Sequence, residues 1–259
     1  MPDPATTLST IPLLFAVQML AVFVATRHAV THKGMTGAVW IYALMCVLVA
    51  WGGVTTALAL LGVYQTDSFL AAYPTLWLPF VPATLILIIP LLFTSARTAV
   101  RDLIDASSWK WLIGIHALRI LAVGTLIKAW RGEFARSFAI LVGIPDMLFG
   151  LSAVFMLWLA KKGRVSAVGL ILWNLLGVAV ILPAPIVGQR GLPGLFNAVE
   201  ESPGMVTLYE FPMVLAPTLV VPVFFMTNLF VAIRLVERSA SEQTSGTRQC
   251  RPKDTATPG

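Results

Sequence analysis

Apolar residues in this chain come in long blocks flanked by charge. Seven such runs are legible, at roughly 10–26, 37–62, 75–94, 110–129, 136–160, 165–187 and 209–236. A helix rises 1.5 Å per residue, so ~20 residues cross the ~30 Å of bilayer hydrocarbon. Every run reaches or approaches that length. The pattern predicts an all-α, polytopic membrane bundle of about seven transmembrane helices within residues 1–238. The fourth run, "KWLIGIHALRILAVGTLIKAW", is among the shorter ones and has the most polar interior. Residues 239–259 are almost free of apolar side chains and read as a disordered cytoplasmic tail.

Composition points the same way. Of 259 residues, 58% are hydrophobic and 12% charged, against roughly a quarter charged in a soluble domain. The chain lacks the polar groups to cover a water-facing globule of its size. The net charge of +6 does not imply nucleic acid, because the basic residues cluster at the ends of the apolar runs. With the N-terminus outside, ten Lys and Arg fall on inner segments before the distal tail and four on outer ones. The positive-inside rule therefore favours N-out, C-in in the cell (inner or plasma) membrane. Trp40, Tyr42, Tyr73, Trp77, Trp109, Trp111, Trp130 and Trp158 fall near the predicted boundaries, as an aromatic belt does. The first run is expected to be a retained span, since "MPDPATTLST" lacks the basic region of a secretory signal and Arg27 and Lys33 follow the run.

"SARTAVRDLIDASSW" places Arg97, Arg101 and Asp105 at i, i+4 and i+8, with Val100, Leu103 and Ile104 opposite. It reads either as a helix lying on the inner surface or as a solvated loop with a helical turn. Cys46 and Cys250 supply no disulfide framework and no CxxC motif.

Candidate chemistry lies inside the membrane. Arg119 sits nine residues into the fourth run, about 14 Å deep, with His116 one turn nearer the cytoplasm. Asp146 in the fifth run and Asn174 in the sixth fall at a similar depth, and Asn228 in the seventh is placed near the His116 level. A lone Arg at mid-bilayer costs ~2.5–3.5 kcal/mol on insertion scales. The expectation is a bidentate Arg119–Asp146 pair whose hydrogen bonds are completed by Asn174 and His116.

Gly143, Asp146, Gly150 and Ala153 share one face and predict close helix approach. Pro145 frees the carbonyl of Leu141 beside the pair. Pro212, Pro217 and Pro222 predict a bent or locally unwound last helix. "KGMTGAV" at 33–39 is echoed by "KGRVSAV" at 162–168, which hints at a 3+1+3 parallel repeat of the kind found in some transporters.

From the fourth run onward the chain resembles a family of bacterial multi-pass membrane proteins of uncharacterised activity. The resemblance is carried by intramembrane Arg119, the Gly-x-x-Asp of Gly143 and Asp146, Trp-Asn-x-x-Gly at Trp173, Asn174 and Gly177, and Pro-Thr-x-x-Val-Pro from Pro217 to Pro222. It departs from the family pattern at Glu133-Phe134, where Leu-Pro is usual, and at Asn228, where a His is expected. The second departure removes a candidate ligand or proton carrier. The resemblance implies an integral membrane protein and no particular activity.

Residue inventory excludes several functions. A retinal protein needs a mid-membrane Lys, and Lys128 lies at a helix end. A bis-His haem needs two buried histidines, and only His116 is intramembrane; His28 and His32 read as polar residues of the first inner loop. HExxH, P-loop and GxSxG motifs are absent. No metal or other cofactor is expected, nor a nucleic-acid partner; the expected partners are the lipid bilayer and a small-molecule or ion solute. The leading expectation is binding or transport of a small solute or proton at Arg119, Asp146 and Asn174. The alternatives are a membrane scaffold, accessory or sensor protein whose polar layer fixes packing, and an enzyme acting on lipid. Enzyme activity is the less favoured reading.

Overall fold

The computed structural model describes residues 9–71, 77–190 and 202–249. Among them there are helices and no strands. Helix α1 spans Ile11–Lys33 and α2 spans Ala38–Leu60. Helix α1 outruns the expected 10–26, because nothing interrupts it before Gly34, whose φ of 68° stops it in the left-handed region. His28 and His32 therefore lie on its last turns rather than in a loop, with ring centroids 4.7 Å apart.

Helix α3, Trp77–Leu92, breaks at Phe93, which is extended. Helix α4, Thr94–Ala106, then departs at 95° to the segment Val81–Leu92. The "SARTAVRDLIDASSW" segment is thus a helix, not a loop. It buries Ala96, Ala99 and Ile104. A Cβ built on Gly37, at the start of α2, would stand 2.8 Å from that of Ala99, so the missing side chain lets α4 lie tightly across the end of α2.

Helix α5, Trp109–Trp130, begins where the Ser108 hydroxyl accepts from the Trp111 N–H. Its middle, Ile115–Ala122, is a 3-10 helix. Helix α6, Arg136–Lys161, contains a π-helical turn over Ala139–Gly143. Helix α7, Ala167–Arg190, is capped by Ser166, which accepts from the Gly169 N–H. Helix α8 starts as a π-helical turn, Ala216–Val220, and continues as α-helix Val221–Gln249.

The last two boundaries differ from expectation. Residues 209–214 are not part of the final helix. Met205–Tyr209 form a 3-10 turn whose Met205, Leu208 and Tyr209 pack into the core beside Phe134 and Tyr64. Pro212 lies in the turns before α8 and kinks no helix. At its far end α8 runs through residues 239–249, where a disordered tail was expected, because extending a formed helix is far easier than nucleating one and no proline intervenes. Residues 250–259 lie outside the described residues.

Among the described residues, six helices are long and apolar enough to cross a membrane, or seven if α3 and α4 together form one bent span. Their outward faces are apolar: Val39, Leu60, Val168 and Leu172 are each more than 60% exposed. A soluble protein of this size does not present such continuous apolar faces to water. In the most apolar stretch of α8, 56% of residues are buried, against 11–33% in the other five long helices. Helix α8 is therefore the central post. The tightest pairings are α7 with α8 and the middle of α5 with α6.

Candidate functional site

The 3-10 stretch of α5 explains how His116 and Arg119 come to share a direction. Three residues per turn makes i and i+3 eclipse, and these two are the buried residues of the segment. Arg119 then meets α6. Its Nε donates to Asp146 Oδ1 at 2.7 Å, and its Nη2 lies 2.5 Å from the same oxygen, off the hydrogen-bonding axis. The pair is thus not the expected two-oxygen fork: both nitrogens converge on one oxygen. The Arg119 side chain is completely buried, whereas Asp146 keeps 25% of its side-chain surface exposed.

Two glycines make this approach feasible. A Cβ on Gly150 would stand 2.5 Å from the Ile120 backbone N and 2.8 Å from the Arg119 carbonyl carbon. A Cβ on Gly177 would stand 2.5 Å from Phe149 Cζ and 2.6 Å from Asn228 Nδ2. Arg119 Nη1 donates to the Gly177 carbonyl at 3.3 Å, tying α5 to α7 as well as to α6. Asn174, expected to complete the pair's hydrogen bonds, instead donates to Leu170 O of its own helix at 2.8 Å. That is the local back-bond open to any short polar side chain on a helix.

Aromatic rings cover the guanidinium. Arg119 Cζ lies 4.2 Å from the centroid of Phe149, whose ring stacks on Trp173 at 4.7 Å. Trp173 Nε1 donates to Ser152 Oγ at 2.9 Å, fixing the indole. A desolvated cation over such a face gains roughly 0.5–2 kcal/mol. His116 does not bond to the pair. It is fully buried among Phe149, Trp173 and Phe224, with centroids 5.5–5.9 Å away, and neither ring nitrogen has a hydrogen bond among the described residues. Asn228 is likewise fully buried, with both amide atoms unbonded, against the bare face of Gly177. Buried polar atoms are seldom left this way.

Three of the prolines shape the site. Pro145 and Pro222 each follow a π turn that begins six residues earlier, at Ala139 and Ala216. A proline ring clashes with the carbonyl four residues back, and the widened turn gives it room. Pro217 sits inside the second π turn. The carbonyl of Val220, in that turn, accepts from Gln18 Nε2 of α1 at 3.2 Å. Gln18 is fully buried. Its place in the first apolar run was visible in the sequence, but nothing there marked its partner.

A partly open cavity of about 120 Å³ reaches the pair from the end of the bundle where α1 begins. Arg119 and Asp146 form part of its floor, and Leu14, Val142, Ile181 and Phe224 are among its largely apolar walls. A carboxylate with one exposed side in an apolar chamber can accept a hydrogen bond or a proton. The guanidinium, sealed behind it, holds the charge in place.

No curated protein and no solved structure matches the chain. Residues 75–236, from α3 to within α8, match the family described as Domain of unknown function (DUF8737). This stretch holds Arg119, Asp146, Asn174, Gly177, Asn228 and every proline of the site. With more than half of its length matched, the chain belongs to that family.

Proposed function

We propose that this protein is an integral membrane protein, with its N-terminus outside and its C-terminus cytoplasmic, that binds or carries a small solute at the Arg119–Asp146 pair. The observation that carries the reading is the cavity that opens onto the pair, with Asp146 a quarter exposed and Arg119 fully covered. The pair is net neutral. A charged solute would have no counter-charge in the apolar chamber, so a neutral hydrogen-bond donor, or a proton delivered to Asp146, is the better match. At about 120 Å³ the chamber falls below the ~300 Å³ typical of drug-sized sites and well above the ~10–15 Å³ that one water needs. His116 and Asn228, buried without hydrogen bonds, supply further polar atoms beside Phe149 and Gly177 but do not line the chamber.

A second reading has its own observation. Arg119 links α5, α6 and α7 through Asp146 and the Gly177 carbonyl, which is what a purely structural clamp would do. Dicyclohexylcarbodiimide, an apolar carboxyl reagent, separates the two. Under the binding reading it modifies Asp146 in the folded protein, detected by peptide mass spectrometry, and Asp146→Asn and Arg119→Gln abolish solute or proton flux in proteoliposomes while remaining folded. An unmodified Asp146 in the folded protein, together with flux that is unchanged in a folded variant carrying leucine at both positions, would leave the clamp as the answer.

A further inference from the structure

The opposite end of the bundle holds a second polar construction. Helix α4 crosses beneath the others and carries Arg97 and Arg101 one turn apart. Helix α8 passes it and carries Arg234, Glu237 and Arg238. Arg101 pairs with Glu237. Arg234 pairs with Asp105 at 2.5 Å and with Glu237 at 3.2 Å, and Arg238 reaches Asp105 at 3.5 Å. Four arginines thus face two carboxylates. Asp102 stands about 100° around α4 from Arg101 and does not line the cleft.

The surplus charge is concentrated at Arg97. It has no carboxylate within 4 Å among the described residues. Its Nη2 donates to Leu91 O at 2.5 Å, capping the broken end of α3, and its Nε is buried without a partner. A guanidinium has five N–H donors, so most of those on Arg97 and Arg101 are uncommitted. Two like charges one turn apart destabilise a helix unless an anion lies between them. Between them and α8 is a cleft of about 240 Å³, lined by Arg97, Arg101, Arg234 and Glu237 on its polar side and by Pro90 and Phe230 on its apolar side.

We propose that this cleft binds a phosphate group of net negative charge, one with no cation of its own, received by Arg97 and Arg101 from α4 and by Arg234 from α8. Planar guanidinium forks match the oxygens of a phosphate. The apolar wall suits a phosphate carried on an acyl chain, as basic pockets between membrane helices take anionic headgroups. This site is separate from the Arg119–Asp146 chamber, and its test does not depend on solute flux.

The full chain, purified in neutral detergent, is titrated with phosphatidylglycerol and with phosphatidylcholine of the same acyl length, and occupancy is read by native mass spectrometry. Phosphatidylglycerol is expected to bind about tenfold tighter, with Arg97→Gln and Arg101→Gln each removing roughly fivefold and Arg97→Lys, which keeps the charge but loses the fork, removing roughly twofold. Glu237→Gln removes a competing carboxylate and is expected to tighten binding several-fold, a gain that misfolding cannot imitate. Inorganic phosphate that displaces phosphatidylglycerol and raises the unfolding temperature at millimolar concentration would identify the source as a soluble phosphate compound, with the site unchanged. Equal binding of the two lipids with no effect of phosphate would overturn the proposal. So would a preference for phosphatidylglycerol that survives both glutamine variants and is not sharpened by Glu237→Gln.

Discussion

Arg119 and Arg234 each reach a carboxylate on another helix at 2.5 Å, yet they sit in opposite surroundings. Arg119 is sealed, stacked on Phe149 and served by a single carboxylate. Arg234 is 24% exposed and shares two carboxylates with Arg101 and Arg238. The same contact has different worth in the two places. In the middle of the bundle, losing one partner strands a charge where little can solvate it. At the α4 end, the survivors have other partners and water.

The sharpest way to break this contrast is to remove the partners one at a time. Asp146→Asn leaves a fully covered guanidinium without its counter-charge and should cost ~3–5 kcal/mol, the usual penalty for breaking a buried pair. Arg119→Gln should cost less, because the stranded Asp146 keeps an open side. Replacing both residues with leucine should recover much of the loss. Thermal unfolding in detergent orders the three, and equal losses for the two single variants would contradict the asymmetry in exposure.

A smaller effect is expected from Gly150→Ala, which touches no charge. The new methyl meets the backbone at Ile120 and Arg119, which cannot swing aside as a side chain can. Forcing α5 and α6 apart should cost ~1–3 kcal/mol and lower the yield of carbodiimide-labelled Asp146 in the folded fraction. Wild-type stability and labelling in this variant would mean that the close approach does not position the pair.

The smallest effect should come from Arg234→Gln. Partly exposed pairs are worth ~0–1 kcal/mol and weaken with salt, and Glu237 retains Arg101. A loss comparable to that of Asp146→Asn, or one insensitive to salt, would erase the distinction between the two ends.

Long-range order was legible in the sequence wherever one residue type dominates the physics. An always-charged Arg119 in an apolar run demands a counter-charge, and Asp146 is the acidic residue at matching depth on the following run. The glycine face of α6 was legible for the same reason, since only a missing Cβ admits a backbone. The details depended on competition the sequence does not display. Asn174 could bond across the bundle or back to Leu170, and the local bond won. Whether His116 and Arg119 align depends on a 3-10 segment that no proline announces, and Gly114 just before it does not by itself distinguish a 3-10 turn from an α-helical one. The echo between "KGMTGAV" and "KGRVSAV" has a local counterpart: Gly34 and Gly163 both take positive φ, 68° and 64°, where one helix ends and the next is about to begin. Turn chemistry alone can produce that likeness.

The π turns have a mechanical corollary. Each accommodates one residue more than an ordinary turn, and one residue corresponds to about 100° of rotation about the helix axis. Were Ala139–Gly143 to tighten into regular α-helix, the portion of α6 beyond it would revolve by that amount relative to the portion before it, and Asp146 would swing out from under the guanidinium. Helix α8 has the same crank at the same distance from Pro222, gripped there by Gln18. The helices before and after α7 thus each hold one surplus residue at a matching point, and its loss or gain would re-aim everything beyond it.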